Sequence, residues 1–122
     1  MKKKIKILIV EDEVIIAECL KMELELSGYD VCDFVTSGEE AIIIAKEKDP
    51  DVILMDIYLA GVIDGIEAAK EIIANKKIPI IFCTGYTESE IFERAKKLNP
   101  VAYLRKPIIA EEVKVVLEYV FE

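Results

Sequence analysis

Glu11 and Asp12, Asp56, Thr84 and Lys106 each lie at the end of a short apolar run, and together they supply three carboxylates, a hydroxyl and an ammonium group. Clustered carboxylates raise one another's pKa unless a cation lies among them. The chain has no histidine and no Cys-x-x-Cys pair. An all-oxygen donor set of this kind favours a hard ion, Mg²⁺ or Mn²⁺, held by few protein ligands and several waters. A cation there neutralises an incoming phosphoryl group, Lys106 can meet its oxygens from the other side, and Thr84 can donate to another. One carboxylate is then left as nucleophile, because phosphoryl transfer needs mainly positioning and charge stabilisation. Taken singly, each residue has a plainer reading: a solvated acidic loop, a turn or cap aspartate, a surface Lys-Pro turn. Their joint placement at four strand ends is what those readings do not predict.

The elements that must position these residues alternate along the chain. Near-continuous Ile/Val-rich runs at 4–10, 51–55, 78–83 and 101–104 fit strands covered on both faces. Residues 30–35 interleave Cys32 and Asp33 among apolar neighbours, a looser pattern suited to an edge strand. Between the runs lie amphipathic segments. Ala17, Leu20 and Leu24 recur at helical spacing, with Gly28 placed as a left-handed C-terminal cap. Ser37 with Glu40, Asp64 with Glu67 and Thr87 with Glu90 have capping-box spacing, and Pro50 ends the second helix. A last helix over 110–121 carries Val113, Val116, Leu117 and Val120 on one face. The order βαβαβαβαβα with short connections predicts a doubly wound, three-layer α/β fold with a parallel five-stranded sheet. In such sheets ligands bind beyond the carboxyl ends of the strands, where the five residues above converge.

Composition narrows the function classes. The 122 residues fit one domain spanning 1–122, and 53% hydrophobic content suits a packed core. No apolar run approaches the length of a membrane helix, and the basic start before Ile5 lacks the apolar stretch and cleavage site of a signal peptide, so a cytoplasmic location is expected. Cys19, Cys32 and Cys83 read as free thiols in a reducing compartment. A net charge of −8 without a basic stripe argues against direct nucleic-acid binding. The absence of histidine excludes Ser-His and Cys-His nucleophilic machinery.

The stretches IVEDE, LMDIYLAGVIDGIEAA, IPIIFCTGYTE and AYLRKP, in that order and spacing over essentially the whole chain, closely resemble the receiver domains of response regulators in two-component signalling. The resemblance implies a flavodoxin-like sheet of order 2-1-3-4-5. It implies that Asp56 is the phosphoacceptor, attacking a phosphohistidine on a sensor histidine kinase or phosphotransfer protein, or a small phosphodonor. Asp12, Asp56 and the main-chain carbonyl of Tyr58 would bind Mg²⁺ directly, with Glu11 acting mainly through a metal-bound water. Lys106 would pair with the phosphoryl group, and the Lys106–Pro107 bond would be cis. Thr84 and Tyr103 would form a switch pair that repacks the fourth helix, fifth strand and fifth helix for an unidentified output protein. The chain would then be a signalling switch rather than a conventional turnover enzyme.

Several expectations follow from the same resemblance. Gly85 leaves space for the phosphodonor, while Tyr58 and Tyr86 stand where bulky rings would shield the phosphoryl group from water and slow its loss. Val115 and Tyr119 fall off the buried stripe of the last helix, near Phe92, on the face that receivers use to dimerise or to bind targets. The chain is expected to be a stand-alone receiver or a piece of a larger protein. Competing readings fare worse. An aspartate-nucleophile phosphohydrolase needs an acid/base carboxylate where Tyr58 stands. A flavin module needs a Gly/Ser/Thr-rich loop where Glu11-Asp12-Glu13 stands. An interaction module without phosphorylation would not need Glu11 and Asp12, Asp56 or Lys106, and all are present.

Overall fold

The computed structural model describes residues 3–85 and 88–121. The elements alternate without exception: β1 (Lys6–Val10), α1 (Val14–Leu26), β2 (Asp30–Val35), α2 (Gly38–Lys48), β3 (Val52–Asp56), α3 (Gly65–Asn75), β4 (Ile80–Thr84), α4 (Ser89–Lys96), β5 (Ala102–Arg105) and α5 (Ala110–Phe121). The strands are parallel in the order β2-β1-β3-β4-β5, the doubly wound flavodoxin-like arrangement.

Alternation along the strands builds two cores. Ile7, Ile9, Val52, Leu54, Ile81 and Cys83 face α1 and α5, whose Ala17, Leu20, Leu24, Val113 and Leu117 close over them. Leu8, Val10, Ile53, Met55, Ile80 and Phe82 face α2, α3 and α4. Every residue of β3 and β4 is buried, which is why those strands read as continuous apolar runs.

β2 is an edge strand, and its looser pattern has a geometric cause. Ile7 lies opposite Val31 but Leu8 lies opposite Asp33, so the register steps past Cys32 as a bulge. The slip changes faces: Val31 packs on the α1/α5 side and Val35 on the α2/α3 side, although their spacing alone would place them together.

Helix boundaries follow local chemistry. Gly28 adopts φ +96° after α1, and Asp49 takes a left-handed conformation immediately before Pro50. At α3, Asp64 and Glu67 form the full reciprocal box, with Glu67 N–H donating to Asp64 Oδ1 at 2.8 Å and Asp64 N–H to Glu67 Oε1 at 3.0 Å. At α2, Ser37 Oγ accepts from Glu40 N–H at 3.2 Å, but the Glu40 carboxylate accepts from the N–H and hydroxyl of Thr36 and the hydroxyl of Ser37. The box there closes one residue early. At the fourth helix Glu88 occupies the cap position without a side-chain cap bond, and the expected cap Thr87 lies outside the described residues.

β3 and β4 each run one residue further than their apolar patterns suggest. Asp56 pairs with Cys83 and Thr84 with Arg105, so both polar residues are held by the sheet itself rather than by loops.

Candidate functional site

The carboxyl rim of the sheet collects the residues singled out above. Glu11 follows β1, Asp56 ends β3, Thr84 ends β4 and Lys106 follows β5. Asp56, Glu11 and Thr84 are buried, with Asp56 only 3% exposed, while Asp12 is half-buried. One carboxylate oxygen from each of Glu11, Asp12 and Asp56 can be chosen so that all three lie within 4.8 Å of one another. Lys106 Nζ stands between two of them, 2.8 Å from Asp56 Oδ2 and 2.9 Å from Glu11 Oε1.

The second oxygens of Asp56 and Glu11 are also engaged. Tyr58 N–H donates to Asp56 Oδ1 at 3.2 Å, and Glu13 N–H donates to Glu11 Oε2 at 3.0 Å. Lys106 N–H donates to the Thr84 carbonyl at 2.8 Å, fixing the start of the β5–α5 connection against β4. The Lys106–Pro107 peptide bond is cis.

Burial pushes the Asp56 carboxyl up to about 6, and the nearby Glu11 charge pushes the same way; the Lys106 ammonium and the Tyr58 N–H pull it down without prevailing. Burial works against the Lys106 charge, but its bonds to Asp56 and Glu11 outweigh that and raise its pKa. Among the described residues the site thus holds three carboxylates and the Lys106 ammonium. A carboxylate set whose central member still resists ionising is deficient in positive charge, and the donors present suit a hard divalent ion.

Tyr103 sits in the middle of β5 with its ring packed against the α2–α4 core. Its hydroxyl is buried and has no hydrogen-bond partner among the described residues. Phe92 of α4 meets the ring edge-on, centroids 5.1 Å apart at 76°. Burial, and then the neighbouring Tyr58, raise the Tyr103 pKa. The Tyr58 side chain is 39% exposed at the rim. Tyr86 lies outside the described residues. Among the described residues, a Cβ at Gly85 would meet Lys106 Cβ, at 4.0 Å.

Gly65 carries no sequence signal of what the fold asks of it. A Cβ there would lie 2.0 Å from the Asp56 carbonyl oxygen and 2.9 Å from Ile57 Cα, and its N–H donates to the Ile57 carbonyl at 2.8 Å. The start of α3 is pressed directly against the backbone that carries the central carboxylate. The loop between them is tied down twice more. Val62 N–H donates to Glu39 Oε2 at 3.2 Å, and Asp64 Oδ2 accepts from Arg94 of α4 at 3.1 Å.

Comparison with known proteins accords with this geometry. The family model described as the response regulator receiver domain matches residues 7–118. The chain belongs to the response regulator receiver domains. This receiver is 35% identical over 102 residues to the transcriptional regulatory protein PdtaR of Mycobacterium tuberculosis H37Rv, covering 84% of this chain and 49% of PdtaR. It spans about half the length of the curated relatives it matches. Among solved structures, the signal receiver domain of a modulated diguanylate cyclase from Desulfovibrio desulfuricans G20 is 41% identical, with TM-score 0.89 over 96% of this chain and 93% of that one. A CheY-like receiver domain from Methanospirillum hungatei JF-1 shares the fold at TM-score 0.89 and 24% identity, covering 97% of this receiver and 94% of that chain. No helix among the described residues is long and apolar enough to cross a membrane.

Proposed function

We propose that this receiver accepts a phosphoryl group on Asp56. The reading is carried by one observation: a strand-end aspartate 3% exposed, ringed by two further carboxylates and bonded to Lys106. In the step, an Asp56 carboxylate oxygen attacks phosphorus in line with the bond to a phosphohistidine nitrogen. The new P–O bond makes an acyl phosphate, the P–N bond breaks with its electron pair going to the imidazole, and no residue of the receiver has to supply a proton. The donor set of Glu11, Asp12 and Asp56 fits Mg²⁺ (or Mn²⁺), with the Tyr58 carbonyl as a further ligand. When bound, the ion supplies positive charge for the phosphoryl oxygens. Lys106 stays protonated and moves its ammonium from the carboxylate to a phosphoryl oxygen, while Thr84 donates from the end of β4.

The acyl phosphate brings nearly two negative charges to this rim. They need only favour one of two packings of α4, β5 and α5 by a few kcal/mol to shift their populations, roughly the scale on which such equilibria operate. Tyr103 and Phe92 are the contact through which Thr84 would be felt. Val115, 62% exposed, and Tyr119, 88% exposed, offer the adjoining face of α5 to a second copy or an output protein. The reading is of a single domain, a switch rather than a turnover enzyme, served by a sensor kinase or phosphotransfer protein inside the cell.

The direct test is incubation with a small phosphodonor and Mg²⁺, read by intact mass. One phosphoryl group on the wild type and none on Asp56→Asn is expected; equal addition to both would sink the assignment. Removal of Mg²⁺ with a chelator should stop the reaction. Tyr58 bears on how long the phosphoryl group lasts. Its ring at the rim shields the acyl phosphate, so Tyr58→Ala should shorten the half-life several-fold, and an unchanged half-life would remove that role.

A further inference from the structure

α4 is held by few contacts. It is eight residues long, its N-cap makes no side-chain bond, and Ala95 is its buried residue. Phe92, 43% exposed, leans on Tyr103, whose buried hydroxyl is unmatched among the described residues. A buried hydroxyl with no partner among the described residues gives the inward ring little advantage, so the other contacts of α4 carry more weight. One such contact crosses to the loop that follows Asp56. Arg94 donates to Asp64 Oδ2 at 3.1 Å, although Glu90 lies one turn earlier on its own helix. Asp64 uses its other oxygen to cap α3. The same residue therefore fixes the end of the acceptor loop and grips α4. The loop's opposite side is fixed to α2 through Glu39 and Val62, so Asp64 is where the loop can pass strain to something movable.

We propose that the Arg94–Asp64 ion pair couples the acceptor loop to α4, so that the two loosen and settle together. Arg94 and Asp64 are positioning residues: neither reaches the reacting atoms. As a route for a signal the coupling rests on Asp56 being the acceptor; as a mechanical link it does not. Exposed ion pairs add little to a rigid scaffold. Here the pair joins two marginal elements, where a small bias changes populations measurably.

Reciprocity tests it. Amide hydrogen exchange would be followed in the full chain for Arg94→Gln, for Asp64→Asn, which retains an N-cap acceptor, and for the double variant. Arg94→Gln should speed exchange in the loop residues 57–63, and Asp64→Asn should speed it in α4, each by about threefold, because coupling free energy acts equally in both directions. The double variant should show no more than either single. Roughly molar salt should bring the wild type to the same level. Effects confined to the mutated element, or multiplying in the double variant, would overturn the coupling. Beryllofluoride with Mg²⁺, a phosphoryl mimic, should alter α4 exchange in the wild type and alter it less in both single variants. An undiminished response in the variants would also overturn the coupling. A wild type that does not bind the mimic would remove the acceptor reading alone, and exchange in the free protein would still decide the coupling.

Discussion

Gly65→Ala is expected to destabilise the receiver by about 3 kcal/mol or more and to depress phosphorylation of whatever folded protein remains. The added methyl would lie 2.0 Å from the Asp56 carbonyl oxygen and 2.9 Å from both the Asp56 carbonyl carbon and Ile57 Cα. These are backbone atoms at the end of a buried strand and of the residue after it, bonded to β4, so they cannot turn aside as a side chain can. Either α3 moves away, losing the bond from Gly65 N–H to the Ile57 carbonyl, or the end of β3 shifts and carries Asp56 from Lys106. Gly85→Ala is the matched control at the same rim. Among the described residues its methyl meets Lys106 Cβ at 4.0 Å, an ordinary van der Waals contact, and its stability should stay within about 0.5 kcal/mol of the wild type. Urea unfolding midpoints of the two variants decide the matter; equal midpoints would show that the approach of α3 to Asp56 is not tight.

Gly65 also marks the limit of what could be read from residue order. The strands were legible because burial on both faces leaves Ile/Val runs, and the helices because Ala17, Leu20 and Leu24, or Val113 and Leu117, return once per turn to one side. Asp64 with Glu67 was legible as a cap because the bonds are local. The convergence of Glu11, Asp56, Thr84 and Lys106 followed from parallel topology, since every strand delivers its carboxyl end to the same rim. What depends on contact across the fold was not legible. A glycine after an aspartate looks like ordinary turn chemistry, and nothing near it tells of Asp56. The bulge at Cys32 was invisible for a related reason: it is a property of pairing with β1, and it made β2 look irregular when the strand was changing faces. The Arg94–Asp64 pair and the contact of Phe92 with Tyr103 likewise exist only once α4 is placed.

Asp56→Asn should make the receiver more stable near pH 7.5 while abolishing its phosphorylation. The Asp56 carboxyl is raised in the fold to about 6 from 3.8. A raised carboxyl contributes stability that is fully present below the unfolded pKa and is lost as pH rises through the folded one. Between about pH 4 and 6 the unfolded chain has given up this proton and the fold has not, so unfolding free energy falls with pH. Above that window the ionised side chain leaves a penalty of order 3 kcal/mol. The amide removes the charge and so the penalty, but Lys106 loses one of its two carboxylates and keeps Glu11. A net gain of about 1–2 kcal/mol is therefore expected at pH 7.5, shrinking toward zero or below at pH 4. Mg²⁺ should act unequally on the two proteins. An ion that binds only the folded form stabilises by mass action, so the wild type should gain thermal stability with Mg²⁺ above pH 6 and progressively less below it, as protons compete for Asp56. The variant, with one ligand neutralised, should respond weakly at any pH. Melting curves of both proteins from pH 4 to 8, with and without Mg²⁺, measure all of this. A variant less stable than the wild type at pH 7.5 would show that the bond between Asp56 and Lys106 outweighs the burial of the charge. A Mg²⁺ response equal in the two proteins would place the ion away from Asp56.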